Sequence, residues 1–400
     1  MEKQQLSFAN LFFLWFGAAV SVAEIFTGGY LAGLGPKMGM WANVLGHLVG
    51  CGLLVLGGLV GYRDRLPAIR SMRLSFGSQG SWLLSGINVL QLVGWTAVMV
   101  LLGGQALSDL GGRLFGLEGR ALWGGLIGLF VGVWVFLGVR RVKWINSVAA
   151  ALLFGLTVVL TGVVLGEPSG TMAGAGPEPI PFSLGFELAL VMPLSWFPLI
   201  SDYTCLATSR TTAWLASFLG YFLGSTWMYA IGLFGTLTTG AADPSAMMVA
   251  AQMGMAALAI VGLSTVTTTF LDVWSAAESA LNVFSGLPKR LTAVVLAALG
   301  TVLGMFFPME RYEWFLFILG SVFAPIVAIL LADAFILRVD RSNNRADLIA
   351  TISLACGVAW YYLIQPWDPP LGPTLATVCF SFLLHFALRA AWLHRIGRRG

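Results

Sequence analysis

The sequence predicts an all-α integral membrane protein of twelve transmembrane helices, and three observations support that prediction. Of its 400 residues, 58% are hydrophobic and only 10% charged, against about 25% charged in soluble proteins; the mean hydropathy is +0.86. Apolar stretches of about 20 residues, the length that crosses a bilayer core, recur at 8–34, 40–62, 80–107, 121–139, 143–166, 185–207, 212–240, 256–285, 291–308, 312–337, 347–365 and 370–389. Eighteen of the 22 Lys and Arg residues then fall in loops of one parity and four in the other. Basic residues accumulate in cytoplasmic loops, so the expected protein is multi-pass, sits in the cell inner membrane and has both termini in the cytoplasm. Losing one span would scramble that alternation. It also accounts for the net charge of +4 without a nucleic-acid partner.

The first span sets the expectation for function. Its run Phe16 to Glu24 places a carboxylate near mid-bilayer, at a cost of about 2.5–3.5 kcal/mol on insertion scales. Gly17, Ala18, Ala19, Ser21 and Ala23 flank Glu24, followed by Thr27-Gly28-Gly29. Small residues let the backbone loosen and let neighbouring helices approach. A helix that breaks around an acid is one way transporters build a midplane site. The plainer alternative is an unbroken span with Glu24 paired inside a bundle.

The remaining spans extend that pattern. The sixth carries Pro193 and Pro198 around Ser195-Trp196, and each proline removes a donor and kinks a helix. A polar, breakable helix thus opens each of two groups of five spans. An odd-numbered group, when repeated, returns inverted. The expected organisation is a first repeat over 1–166, an external connector over 167–184, a second repeat over 185–338, and two ordinary apolar helices with a basic tail over 339–400. Asp243-Pro244 opens a Met/Ala-rich run too short to span, read as an external helix with Asp243 at its N-cap. Met1-Glu2-Lys3 leads straight into a full-length span, so no cleavable leader is expected.

Cys51, Cys205, Cys356 and Cys379 stand singly in apolar runs without metal or redox spacing, as buried small hydrophobes do. His47, His385 and His394 look equally isolated. With no histidine or cysteine expected beside the mid-span acids, an enzyme is not predicted. No cofactor and no obligate protein partner are expected either. Polar residues converging at one depth suit an occluded site better than an open channel.

Leu14 to Gly29, Gly94-Trp95-Thr96-Ala97-Val98-Met99, Pro193 to Tyr203, and Ser264 to Asp272 together resemble nucleobase–cation symport family 1, in the branch of hydroxymethylpyrimidine transporters close to cytosine permeases. The resemblance covers nearly all of the chain. It implies a leucine-transporter-like five-plus-five inverted repeat with two extra C-terminal helices. It further implies cation-driven uptake of a planar nitrogen heterocycle, held between Trp95 and Trp196. Met99 stands where some relatives place a glutamine, with Gln91 one turn before Trp95 instead. Thr269, Phe270 and Asp272 replace an asparagine-rich stretch of the cytosine-permease-like relatives. Both departures tell against cytosine itself, and the branch resembled implies hydroxymethylpyrimidine or a related aminopyrimidine thiamine precursor, with cytosine or a purine base as the alternative.

The chemistry of the residues fits that implication. Indoles stack on flat rings for about 0.5–1.5 kcal/mol per pair beyond burial. Carboxylates accept from an exocyclic amine, which gives Glu24 and Asp272 a role on helices expected to touch, with Gln91 and Thr269 beside them. Sodium needs hard oxygens, which broken-helix carbonyls supply. Ser264, Thr267 and Thr268 share one helix face at i, i+3 and i+4, and by resemblance would meet carbonyls near Ala19 and Val22. The alternatives are back-bonded hydroxyls and proton coupling through Glu24 or Asp272. Asp202, Asp333 and Glu278 lie nearer span ends and read as gate or structural partners of Arg and Lys.

Overall fold

The computed structural model describes residues 5–137, 151–162 (except 153, 156 and 160), 178–240 and 254–397. Most of the connector expected over 167–184, the helix expected from Asp243, and much of the fifth expected span lie outside the described residues. The described chain is helical apart from one isolated bridge.

In chain order the helices are α1 (Phe8–Ala19), α2 (Val22–Tyr30), α3 (Gly35–Asp64), α4 (Ala68–Ser71), α5 (Arg73–Phe115) and α6 (Arg120–Leu137). After these come α7 (Phe182–Leu194), α8 (Phe197–Thr204), α9 (Ser217–Thr239), α10 (Gly254–Val283) and α11 (Lys289–Phe306). The last three are α12 (Tyr312–Leu331), α13 (Leu348–Ile364) and α14 (Gly372–Gly397). Among the described residues, eight helices are long and apolar enough to cross a membrane. Element limits follow the sequence expectation within a few residues for most spans. The third is longer, because α5 begins at Arg73. A left-handed Gly77 (φ 78°) splits it, where an added Cβ would lie 2.8 Å from the Asn344 carbonyl.

Two helices expected to break do break. Between α1 and α2, Val20 and Ser21 leave the helical region (ψ 88° and 159°), and the Ser21 hydroxyl caps α2 by accepting from the Glu24 amide at 3.3 Å. Between α7 and α8 the chain turns at Ser195 and Trp196, with Pro193 ending one helix and Pro198 starting the next. Each break leaves helix-terminal carbonyls and amides without intrahelical partners.

Glycines permit close helix crossings around these breaks. A Cβ on Gly232 of α9 would lie 1.9 Å from the Ile25 carbonyl of α2, and one on Gly28 would lie 2.4 Å from the Tyr229 backbone. The second half of the broken helix therefore lies backbone to backbone on α9, as small residues allow in membranes. At the basic end of the bundle, the chain before α1 pairs with the chain after α8: Leu6 donates to the Leu206 carbonyl at 2.8 Å, and Thr208 donates to Leu6 at 3.1 Å. Arg65 donates to the Cys205 and Ala207 carbonyls at 3.1 and 2.8 Å. Asp202 accepts from the Ala68 amide at 2.8 Å, and Glu278 pairs with Lys289. Glu278 thus has a Lys partner as expected, whereas Asp202 is bonded by a backbone amide instead of an Arg or Lys.

The last two helices are not the ordinary apolar pair expected. Arg389 of α14 is fully buried and bonds both Asp347 oxygens (2.7 and 2.9 Å) and both Asp333 oxygens (3.3 Å each). His385 bridges Asp333 and Ser353 at 3.0 Å each, so it is not isolated. Glu187 of α7 accepts from the Tyr361 hydroxyl (3.0 Å), the Thr374 hydroxyl (2.5 Å) and the Thr374 amide (3.1 Å). The polar residues of α13 and α14 are few, but they are spent on two buried nodes that fasten both helices to the bundle. Of the cysteines, Cys51 and Cys205 are buried, whereas Cys356 and Cys379 are exposed, so burial was a correct expectation for only two.

Candidate substrate site

Glu24 is buried at the start of α2, and both of its oxygens are occupied. Tyr221 donates to Oε1 at 2.7 Å and Ser225 to Oε2 at 2.6 Å. Hydrogen bonds to a charged group contribute about 1.5–3 kcal/mol each, enough to offset much of the cost of the acid. Ser21 and Glu24 have capping-box spacing, yet the carboxylate turns to α9 instead of back to its own cap. Sequence reasoning missed both partners, although Ser217, Tyr221 and Ser225 at i, i+4 and i+8 form a polar stripe on α9.

His47 was also missed. It is buried on α3, with Nδ1 2.9 Å from the Asn43 carbonyl and Nε2 2.5 Å from the Ser225 hydroxyl. A histidine therefore stands one hydroxyl away from a mid-span acid, contrary to expectation. A carbonyl only accepts, so Nδ1 carries a hydrogen. Ser225 has one hydrogen for two short contacts, and the second hydrogen must belong to His47 Nε2 or to Glu24. The His47, Ser225 and Glu24 chain closes only with one proton more than a neutral imidazole and a carboxylate supply.

The other expected residues gather where α5, α8 and α10 meet. Asn88 faces Ser279, Ser85 faces Asn282, and Gly103 touches Thr265. That antiparallel register puts Asp272 of α10 level with Trp95 of α5, and Gln91 about one turn away along α5. Gln91 Nε2 donates to Asn88 Oδ1 and to the Ser195 carbonyl at the second break, 3.0 Å each. Both amide hydrogens are thereby used, and the carbonyl of Ser195 fixes the orientation because it can only accept. Gln91 Oε1 is left buried with no partner. Asp272 is 4% exposed and, among the described residues, makes no hydrogen bond or ion pair, with Tyr203 as its charge-sensing neighbour. Buried polar groups are nearly always bonded, so Gln91 Oε1 is a local anomaly, and the Asp272 carboxyl lies about one turn from it.

The aromatic residues stand on separate supports. Trp95 meets Phe315 of α12 edge to face (centroids 5.3 Å apart), and Trp196 meets Trp15 at 6.0 Å and Tyr221 at 6.3 Å. Among the described residues the two expected indoles are not in ring contact with each other. Trp15, Phe315 and Tyr203 are further walls that sequence reasoning did not single out.

Two expectations concern how α10 stands to the break between α1 and α2. The helices of Glu24 and Asp272 were expected to touch, whereas α10 packs chiefly on α5, α6 and α11. Ser264 donates to the Val261 carbonyl (3.0 Å), Thr267 to the Ser264 carbonyl (2.9 Å) and Thr269 to the Thr265 carbonyl (2.6 Å). These hydroxyls are back-bonded within their own helix, the arrangement of the plainer alternative. Thr268 shares their helix and is nine-tenths buried.

Broken helices crossing a bundle beside buried, unpartnered polar groups define a helical membrane carrier. The chain belongs to the family of permeases for cytosine/purines, uracil, thiamine and allantoin, whose sequence model matches residues 1–363. It is 25% identical over 398 residues to the cytosine permease of Escherichia coli (strain K12), covering 96% of this chain and 93% of that one. It is 23% identical over 392 residues to the hydantoin permease of Microbacterium maritypicum, covering 88% and 77%. Inward-facing Mhp1 superposes with a TM-score of 0.81 at 18% identity, covering 98% of this chain and 92% of that one. Mhp1 is a nucleobase-cation-symport-1 family transporter. Its closed form with bromovinylhydantoin bound gives 0.81 at 19% identity, covering 99% and 94%. The fold is thus that of the leucine-transporter-like carriers, and the protein is a transporter of the nucleobase–cation symporter family rather than an enzyme.

Proposed function

We propose that this protein is a secondary active symporter that imports hydroxymethylpyrimidine or a related aminopyrimidine by alternating access. Its fold would be the twelve-helix, five-plus-five inverted repeat in which the two observed breaks open the two repeats. The observation that supports the substrate class is the unpartnered pair, Gln91 Oε1 and Asp272. Both groups accept hydrogen bonds, so the missing partner must donate. An aminopyrimidine offers an exocyclic amine, as cytosine does to carboxylates, and its flat face suits Trp95 and Trp196. Thr269 lies one turn from Asp272 on α10. Glu24 supports the broken helix from behind the site and is available to the ligand only if it leaves Tyr221 and Ser225. The cytosine and hydantoin permeases among its relatives support a flat nitrogen heterocycle as cargo, and cytosine or a purine base is the alternative substrate.

For coupling, we propose sodium held by the Ala19 and Val22 carbonyls with the Ser264, Thr267 and Thr268 hydroxyls. A hydroxyl that donates back along its helix keeps its oxygen lone pairs for a cation. The site would form when α10 closes on the break in another state of the cycle. The hydrogen count at Ser225 favours a second reading, proton coupling through Glu24. Uptake into proteoliposomes, measured with and without sodium at two pH values against a panel of aminopyrimidines, cytosine, purines and hydantoins, tests substrate and ion together. Saturable aminopyrimidine uptake that outcompetes cytosine is expected. Preference for cytosine supports the alternative, and no uptake of any heterocycle contradicts the proposal.

A further inference from the structure

Outside the substrate site, a groove of about 750 Å³ lies between α3 and the start of α9. Its floor is a stripe of α3 with Leu48, Gly52, Leu56 and Leu59, and its wall is Trp214 and Phe218. From Leu48 to Leu59 that stripe rises about 16 Å at 1.5 Å per residue, close to the roughly 15 Å of one bilayer leaflet. Nothing lies within 4 Å of where a Cβ on Gly52 would stand. The groove is open at its floor, and its large side chains are exposed: Leu48 by 49% and Trp214 by 38%.

One cation stands at the mouth. Arg210 lines the groove and, among the described residues, has no hydrogen bond or ion pair. It lies at the basic end of the bundle, because Arg65 binds the carbonyls of Cys205 and Ala207 just before it. An apolar trough of one leaflet's length with an unpaired guanidinium at its headgroup end is complementary to a chain with a phosphate at its end. Guanidinium binds phosphate through two parallel hydrogen bonds, and Trp214 sits where interfacial tryptophans gather.

We propose that this groove is a binding site for one anionic phospholipid, with an acyl chain along α3 and its phosphate on Arg210. The site bears on transport through its wall. That wall opens with the π-helical turn Thr212–Ala216 and continues into α9, which holds Glu24 through Tyr221 and Ser225. Lipid in the groove braces α9 against α3, and with it the second half of the broken first helix.

The test is thermal unfolding of the purified protein titrated with phosphatidylglycerol, with phosphatidylcholine of the same chains, and with inorganic phosphate alone. Phosphatidylglycerol should raise the midpoint saturably by about 3–5 °C, the shift expected from a ligand near a hundred times its Kd; phosphatidylcholine and phosphate should not. Arg210→Gln should remove the difference between the two lipids. Gly52→Phe should fill the trough and remove the saturable shift while leaving the midpoint in phosphatidylcholine unchanged. If Gly52→Phe lowers that midpoint instead, Arg210→Gln alone decides. Equal responses to both lipids in the wild type, an unaltered lipid difference in Arg210→Gln, or reproduction of the shift by phosphate alone would each overturn the proposal. None of these readings involves the transported substrate.

Discussion

Asp272→Asn is expected to lower uptake about 10–100-fold while leaving the purified protein at least as stable as the wild type. The two effects have one cause. Among the described residues Asp272 is buried without a hydrogen bond or an ion pair, and burying an unpartnered carboxyl is costly. Asparagine removes that cost. It also weakens a charge-assisted bond to a ligand amine, by about 1.5–3 kcal/mol, and each 1.4 kcal/mol is about tenfold. Radiolabelled uptake, set beside thermal unfolding of the same preparation, reads both. A variant that is destabilised yet transports normally would make Asp272 a structural residue.

Arg389→Ala should be the most destabilising single change among the polar residues. It strands Asp333 and Asp347, which Arg389 binds with four hydrogen bonds. Breaking a buried ion pair from one side costs about 3–5 kcal/mol, whereas replacing both partners by apolar residues is often neutral. The pair Asp333→Leu with Arg389→Met should therefore recover most of the loss, because Asp347 keeps Arg341 and the Ala350 amide. Acid should expose the same node. Asp347 lies just before α13, outside the spanning helices. Burial pushes its carboxyl upward, but Arg389, the Ala350 amide and Arg341 outweigh that and hold it below its ordinary value. A depressed carboxyl contributes stability that is complete above its unfolded value, about 3.9, and is lost as pH falls through the folded one. Arg389→Ala should move that loss to higher pH. Unfolding midpoints measured across acid pH check both claims, and a variant as stable as the wild type would contradict them.

What could be read in the sequence was whatever depends on local chemistry. Apolar length and the placement of Lys and Arg gave the spans, and the small residues before Glu24 and the prolines around Ser195-Trp196 marked both breaks. Gln91 stood out as an amide one turn from Trp95. What could not be read depends on which helices face each other. Glu24 could be seen as costly, but its partners Tyr221 and Ser225 lie about 200 positions away, and His47 looked isolated because it reaches Glu24 through that serine. The two C-terminal helices read as plain because a single Arg389 carries most of their polar role. The expected contact between the helices of Glu24 and Asp272 came from resemblance, and here α10 stands with α5, α6 and α11 instead.

The most direct test of the account is tryptophan fluorescence of the purified protein titrated with an aminopyrimidine. The account predicts saturable quenching that is lost in Trp196→Ala, at the second break, and retained in Trp41→Phe, whose side chain is exposed on α3. Quenching that survives Trp196→Ala unchanged, or no quenching by any aminopyrimidine or nucleobase, would contradict it.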